Sequence, residues 1–273
     1  MRRLIPGILI SLAAAALLAS CSSYSKLLNS KNHNKMYDEG LKYFKAEKWS
    51  RSTQLFEECS QFFIGTARED SAAYYLAASN YKQGYFDSSS ELFNDFRRRY
   101  GRSVFIEEAE YMYAMGYYYS SPTPNRDQSY TIKAINAINE YMARYPNSVK
   151  KEKLQECVAE LTQKLYDKAY QNAYTYYKIG RYKSAVVALK NATNRYPEST
   201  HREELLYLTA KSSYLLAHKS YERLQRDRYL NAMDDYYNFI SEYPDSKYRK
   251  ELDQMQEKSK KYIASHGENN ESK

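Results

Sequence analysis

Tyr182-Lys183-Ser184-Ala185-Val186-Val187-Ala188-Leu189, running on to Arg195-Tyr196-Pro197-Glu198-Ser199, is the stretch that decides the fold. A large residue stands first, a small one at +3, an apolar one at +7, an aromatic at +14 and a hydroxyl at +17. The same columns recur at Trp49, Ser52, Phe56, Phe63, Thr66; at Phe86, Ser89, Phe93, Tyr100, Ser103; at Thr131, Ala134, Ile138, Tyr145, Ser148; and at Tyr229, Ala232, Tyr236, Tyr243, Ser246. Only Thr131 breaks the leading column.

Offsets of 3, 7 and 14 stay on one face of a helix that turns about every 3.6 residues, so each set predicts an α-helix with a single buried stripe. Pro146, Pro197 and Pro244 follow the aromatic in three copies and Gly101 in another, and these residues stop helices. The hydroxyl at +17 is placed to cap the next helix. Nine residues ahead of the leading column stand Gly40, Ala77 and Ala173, small enough for a preceding helix to come close. Each unit is therefore expected to be an antiparallel helix pair.

Small residues at a helix crossing, an aromatic early in the second helix and a proline after it resemble the tetratricopeptide repeat, which stacks such pairs into a solenoid. The expected fold is all-α, with about five long pairs. Successive copies lie 37, 45, 51 and 47 residues apart, against about 34 for that repeat, so the helices are longer or the loops inserted, as at Ser120-Ser121-Pro122-Thr123-Pro124-Asn125. A generic helical bundle is the competing architecture. Val149 to Ile179 lacks Gly and Pro and is expected to form one long helix. It links N-terminal repeats one to three (residues 35–147) to C-terminal repeats four and five (residues 148–264). Residues 265–273 have nothing to bury and are expected to be disordered.

The N-terminus reads separately. Arg2 and Arg3 precede an apolar run from Leu4 to Leu17, and small residues then lead to Cys21, as in a secretory signal over residues 1–20. Leu18-Ala19-Ser20-Cys21 resembles the lipobox of bacterial lipoproteins, which implies that the Cys21 thiol is diacylated and becomes the new N-terminus. Buried acyl chains contribute about 0.8 kcal/mol per methylene, enough in combination to hold a domain at a bilayer. Residues 21–34 read as a flexible tether. Ser22 is not aspartate, so the resemblance implies sorting to the outer membrane, and the missing acidic cluster favours its periplasmic face.

Losing Arg2 and Arg3 lowers the net charge from +8 to +6, a modest bias that is no nucleic-acid signature. The surplus either meets anionic lipid or an acidic partner, or only keeps the chain soluble. Cys59 and Cys157 make neither a disulfide framework nor metal-ligand spacing and read as small buried hydrophobes. His33, His201, His218 and His266 are scattered outside any metal or nucleophile motif, and Glu107, Glu108, Glu203 and Glu204 suit first helical turns. The chain is expected to be no enzyme and to carry no cofactor and no metal.

Tyrosine is abundant: 32, against 9 phenylalanines and a single tryptophan. Either it replaces phenylalanine in a wet core, or it lines a binding face with flat rings whose hydroxyls stay at the rim.

Signal, tether, helix pairs, and helix ends written Arg144-Tyr145-Pro146-Asn147-Ser148, Arg195-Tyr196-Pro197-Glu198-Ser199 and Glu242-Tyr243-Pro244-Asp245-Ser246 together resemble the BamD family of lipoproteins from the outer-membrane β-barrel assembly machine. The resemblance implies a scaffold whose C-terminal repeats dock a BamA-like barrel subunit and whose N-terminal repeats receive the C-terminal targeting segment of unfolded barrel substrates. Carried over, Tyr74, Tyr75, Asn80, Tyr81, Tyr111 and Tyr113 would engage that aromatic-ending strand, and Arg223, Arg226 and Arg228 would meet acidic residues of the BamA-like subunit. The rival reading is an adaptor lipoprotein for glycan, cell-wall or nutrient-uptake partners. Nutrient-binding relatives with similar repeats usually carry a large extra sugar-binding region, for which this chain has no room.

Overall fold

The computed structural model describes residues 23–266, and these are helical with no strand. Residues 23–29 are a first helix, α1. It is followed by α2 (His33–Lys45), α3 (Trp49–Cys59) with a short 3-10 turn (Ser60–Phe63), α4 (Glu69–Lys82), α5 (Phe86–Arg99), α6 (Ile106–Ser120) and α7 (Ser129–Arg144). Then come α8 (Lys151–Lys178), α9 (Tyr182–Arg195), α10 (Arg202–His218), α11 (Glu222–Glu242) and α12 (Arg249–Ser265). The chain is all-α, built of tetratricopeptide-like helix pairs.

Leading-column residues Trp49, Phe86 and Tyr182 are the first residues of α3, α5 and α9, while α11 starts seven residues before Tyr229. The +3 column is buried throughout, at Ser52, Ser89, Ala134, Ala185 and Ala232. Gly40 shows why small residues are needed: a Cβ there would lie 3.0 Å from the Phe56 ring. Ser52, which donates to the Gly40 carbonyl at 3.1 Å and accepts from Ser79 at 2.9 Å, satisfies its hydroxyl inside this crossing.

Three of the five turns inside the pairs share one construction. Glu47, Gly84 and Gly180 each stand two residues ahead of the leading column, and all have positive φ (56°, 83° and 73°). The next amide reaches back five residues, Lys48 to Tyr43, Tyr85 to Asn80 and Arg181 to Tyr176, closing the helix end in a left-handed cap.

The corners between pairs are also alike. In every copy the +17 amide donates to the +14 carbonyl, and the +17 carbonyl accepts from the amide three residues on. The hydroxyl then accepts from the amide two residues ahead: Thr66 from Arg68, Ser103 from Phe105, Ser148 from Lys150, Ser199 from His201 and Ser246 from Tyr248, at 3.1–3.4 Å. The expected caps are thus refined: these residues shape the turn before the helix, and the N-cap position itself falls to Arg68, Phe105, His201 and Tyr248.

Two compact units emerge, one of residues up to 121 with 129–158, the other of 122–128 with the chain from 159 on. The division falls within α8, an unbroken helix of 28 residues, rather than at the expected 147/148. Residues 122–128 join the second unit, where the Arg126 carbonyl accepts from Lys168. In the first unit, Leu55, Phe56 and Phe63 form one core cluster, and Phe93, Phe96 and Ala109 another. In the second, Leu189, Leu205 and Phe239 lie at the centre, and α12 closes the array by burying Leu252.

The expected flexible tether is corrected over its described part. Tyr24 and Leu27 are buried against the α2–α3 pair, and the Tyr24 hydroxyl donates to the Arg51 carbonyl (3.1 Å) and Gln54 Oε1 (2.8 Å). Apolar residues at 24, 27 and 28 make one helical face, and burying it outweighs the polar look of the surrounding serines. The signal peptide and Cys21 lie outside the described residues, as does the tail from 267 on. Cys59 and Cys157 are both buried, and burial pushes the Cys59 thiol up to about 12.

Candidate functional site

Tyrosines one residue apart on a helix point about 100° apart, so neighbours in the sequence divide between core and surface. Tyr74 is 8% exposed, stacked on Phe105 (centroids 4.4 Å, planes 15° apart) and flanked by Phe93 and Phe96. It is a core residue, which corrects its expected place in the site. Asn80 is buried as well: its side-chain amide donates to the Leu76 carbonyl at 3.0 Å, and its own carbonyl takes the Gln83 and Tyr85 amides that end α4. Tyr113 faces α5, with the Arg97 guanidinium 4.7 Å from its ring centre and Ser90 donating to its carbonyl at 3.4 Å. Its ring is partly buried there.

Tyr75, Tyr81 and Tyr111 are only partly buried. Tyr75 stacks on Phe56 and meets Phe44 edge-on. Tyr81 sets its ring edge-on to Phe86 (5.3 Å) and to Tyr119 (6.3 Å), and Phe86 and Tyr119 stack at 4.7 Å. Tyr119 is 53% exposed, so the three rings form an aromatic shelf open to solvent. Tyr111 sits beneath the Lys150 ammonium, 4.2 Å from the ring centre, and Lys150 also pairs with Glu108.

Electrostatics joins the two groups. Burial first, then the nearby Tyr119, Tyr111 and Glu108, holds the Tyr81 phenol well above its ordinary pKa. Burial, Tyr119 and Glu108 raise Tyr111 in the same way. The site is a patch of phenols and one phenylalanine, with Lys150 and the exposed Lys153 at its edge. It offers stacking surfaces and hydroxyls to an aromatic-bearing chain, and ammonium groups to a carboxylate. Glu107 and Glu108 lie in the first turn of α6 as expected, and Glu108 has this second role as the lysine's partner. The six residues carried over to the groove do not include Tyr119, Phe86 and Lys150. The signal for Tyr119 was its spacing of eight from Tyr111, which returns to the same helix face.

In the second unit Arg223 and Arg226 are exposed on the first turns of α11, three residues apart and so on one face. Arg228 turns elsewhere and donates to the Ser220 hydroxyl. The structure therefore groups two of the three expected arginines. On α10, Lys211 bonds Glu251 (2.7 Å) and the Tyr207 hydroxyl (2.8 Å), which itself donates to Glu251 (2.7 Å). Tyr207 stacks on Tyr248 at 4.0 Å. His201 bonds Asp167 at 2.7 Å just before α10 and stacks on Tyr170. Among the described residues no group of three His, Cys, Asp or Glu is placed to hold a metal ion.

A family model described as "YfiO: Outer membrane lipoprotein" matches residues 29–171 and again 165–269, nearly the whole described chain. The chain belongs to this family of outer membrane lipoproteins. A protein of Aquifex aeolicus (strain VF5) named "Putative outer membrane protein assembly factor BamD" is 24% identical over 223 residues, covering 81% of this chain and 72% of that protein. It carries the family name to which the helix pairs and Tyr-Pro corners pointed. Among solved structures, the TPR2AB-domain:pHSP90 complex of yeast Sti1 aligns with a TM-score of 0.38 at 15% identity, covering 84% of this chain and 98% of that one. Membership places the chain with outer-membrane protein assembly lipoproteins.

Proposed function

We propose that the chain is a non-enzymatic scaffold, acylated at Cys21 and held at the periplasmic face of the outer membrane. There it binds a BamA-like barrel subunit and the C-terminal targeting segment of unfolded β-barrel proteins. The observation that carries this reading is the open shelf of Tyr81, Phe86 and Tyr119 beside Tyr111 and Lys150, within a chain of the outer membrane lipoprotein family. An extended segment that ends in an aromatic residue and a free carboxylate matches both halves of the patch: a ring for the shelf, an anion for Lys150 and Lys153. Tyr75 extends the aromatic surface toward the first pair.

A photoreactive targeting peptide added to the mature chain is expected to label peptides from α4 and α6. Labelling confined to residues 159–266 would overturn the substrate assignment. For the second partner, Arg223 and Arg226 offer a pair of exposed cations to an acidic face. Reversing both charges is expected to weaken co-purification of the barrel subunit from solubilised envelopes, and unchanged recovery would remove them from the contact.

A further inference from the structure

The docked α1 leaves little slack between Cys21 and the folded chain. The Arg51 guanidinium lies 5.0 Å over the Tyr24 ring, and Tyr43 meets it edge-on at 5.5 Å, so this residue is fixed on three sides. Three residues of extended chain reach at most about 11 Å. Acyl chains on Cys21, on the reading proposed above, would therefore hold this corner of the first unit against the bilayer surface.

That corner carries a cleft of about 590 Å³ between α1 and α2, walled by Lys26, Asn32, Lys35, Glu39 and Tyr43 among others. Lys26 and Lys35 are exposed, and the one carboxylate in the wall, Glu39, is already paired with Lys42 at 2.7 Å. The cleft thus presents two ammonium groups on the corner of the first unit nearest the anchor. Lys31, in the turn between α1 and α2, adds exposed positive charge. Ammonium groups bind phosphate as point charges, and basic clusters beside an anchor are attracted to anionic leaflets.

We propose that this cleft seats the phosphate of an anionic phospholipid drawn from the leaflet that holds the anchor, so that the first helix pair lies on the membrane rather than standing off it. The test uses the mature acylated chain in phosphatidylcholine vesicles doped with photoreactive phosphatidylglycerol or, in parallel, with photoreactive phosphatidylcholine, followed by digestion and mass spectrometry. Labelling within residues 23–43 is expected to be several-fold higher with the anionic probe, and to fall to the zwitterionic level in Lys26→Ala/Lys35→Ala. Both lysines are exposed, and circular dichroism checks that the variant folds. Equal labelling by the two probes, or labelling indifferent to the double substitution, would overturn the proposal. So would loss of labelling on adding inorganic phosphate, which would assign the cleft to the free ion. The same digest reports the acyl mass on residue 21. Its absence would sink the anchor alone, because unacylated chain added to the same vesicles still scores the cleft.

Discussion

Gly116 and Ser90 meet so closely that a Cβ on Gly116 would lie 2.1 Å from the serine oxygen and 3.1 Å from the Phe86 carbonyl oxygen. This contact brings α5 and α6 together in the first unit. Gly116→Ala gains helix propensity of about 1 kcal/mol but overpacks a buried crossing, which typically costs about 1–3 kcal/mol. A net loss of up to about 2 kcal/mol is expected in urea unfolding. Adding Ser90→Ala should recover only part of it, because the Phe86 backbone cannot move aside.

Glu47 holds the left-handed position that Gly84 and Gly180 hold in their own copies. A residue with a Cβ pays roughly 1–2 kcal/mol there. Glu47→Gly should therefore stabilise the first unit by about 0.5–1 kcal/mol, the rest going to the greater freedom of glycine in the unfolded chain. Gly84→Ala should do the reverse. Chemical denaturation midpoints of the two variants are expected to shift in opposite directions.

Tyr24, Tyr141, Tyr207 and Tyr236 all have phenols pushed up to about 12 from 10.0, with burial the leading cause in each. A group whose pKa is higher folded than unfolded contributes stability that is complete below its unfolded pKa and lost as pH rises through the folded one. The fold should therefore weaken between about pH 10 and 12. Phenolate absorbance is expected to rise in two phases, the exposed rings first and these together with loss of helix. A single phase centred on the ordinary tyrosine value would contradict the burial described above.

Tyr74 and Tyr119 separate packing from binding. Tyr74→Ala empties a core site and should cost about 3–5 kcal/mol, as for other large aromatics. Tyr119→Ala removes an exposed ring, so stability should change by less than about 1 kcal/mol while peptide labelling of α4 and α6 falls several-fold. Loss of labelling only in the destabilised variant would mean that the shelf is not the binding surface.

Much of the architecture was legible because burial repeats at fixed intervals. Ser52, Ser89, Ala134, Ala185 and Ala232 are invisible one at a time, yet together they mark five helix crossings. Pro146, Pro197 and Pro244 placed the corners because proline cannot continue a helix. The first helix escaped notice because Tyr24, Leu27 and Leu28 give barely one turn of periodicity among serines and lysines. The site was legible only in composition. Tyrosine serves equally as core filler and as exposed platform, and choosing between Tyr74 and Tyr75 needs the rotation of α4, which packing against Phe93 and Phe96 fixes. Lys150 lies just ahead of α8, about forty residues after Tyr111, and no local pattern links the two.

The recurring corner hydrogen bonds have an evolutionary consequence. Since each joint closes through the same three partners whether the preceding copy spans 37 residues or 51, segments of unequal length share one coupling and become interchangeable. Duplication, loss or lengthening of a segment leaves its connectors intact, so a lineage can resize the array and remodel one binding face while its neighbours keep their geometry.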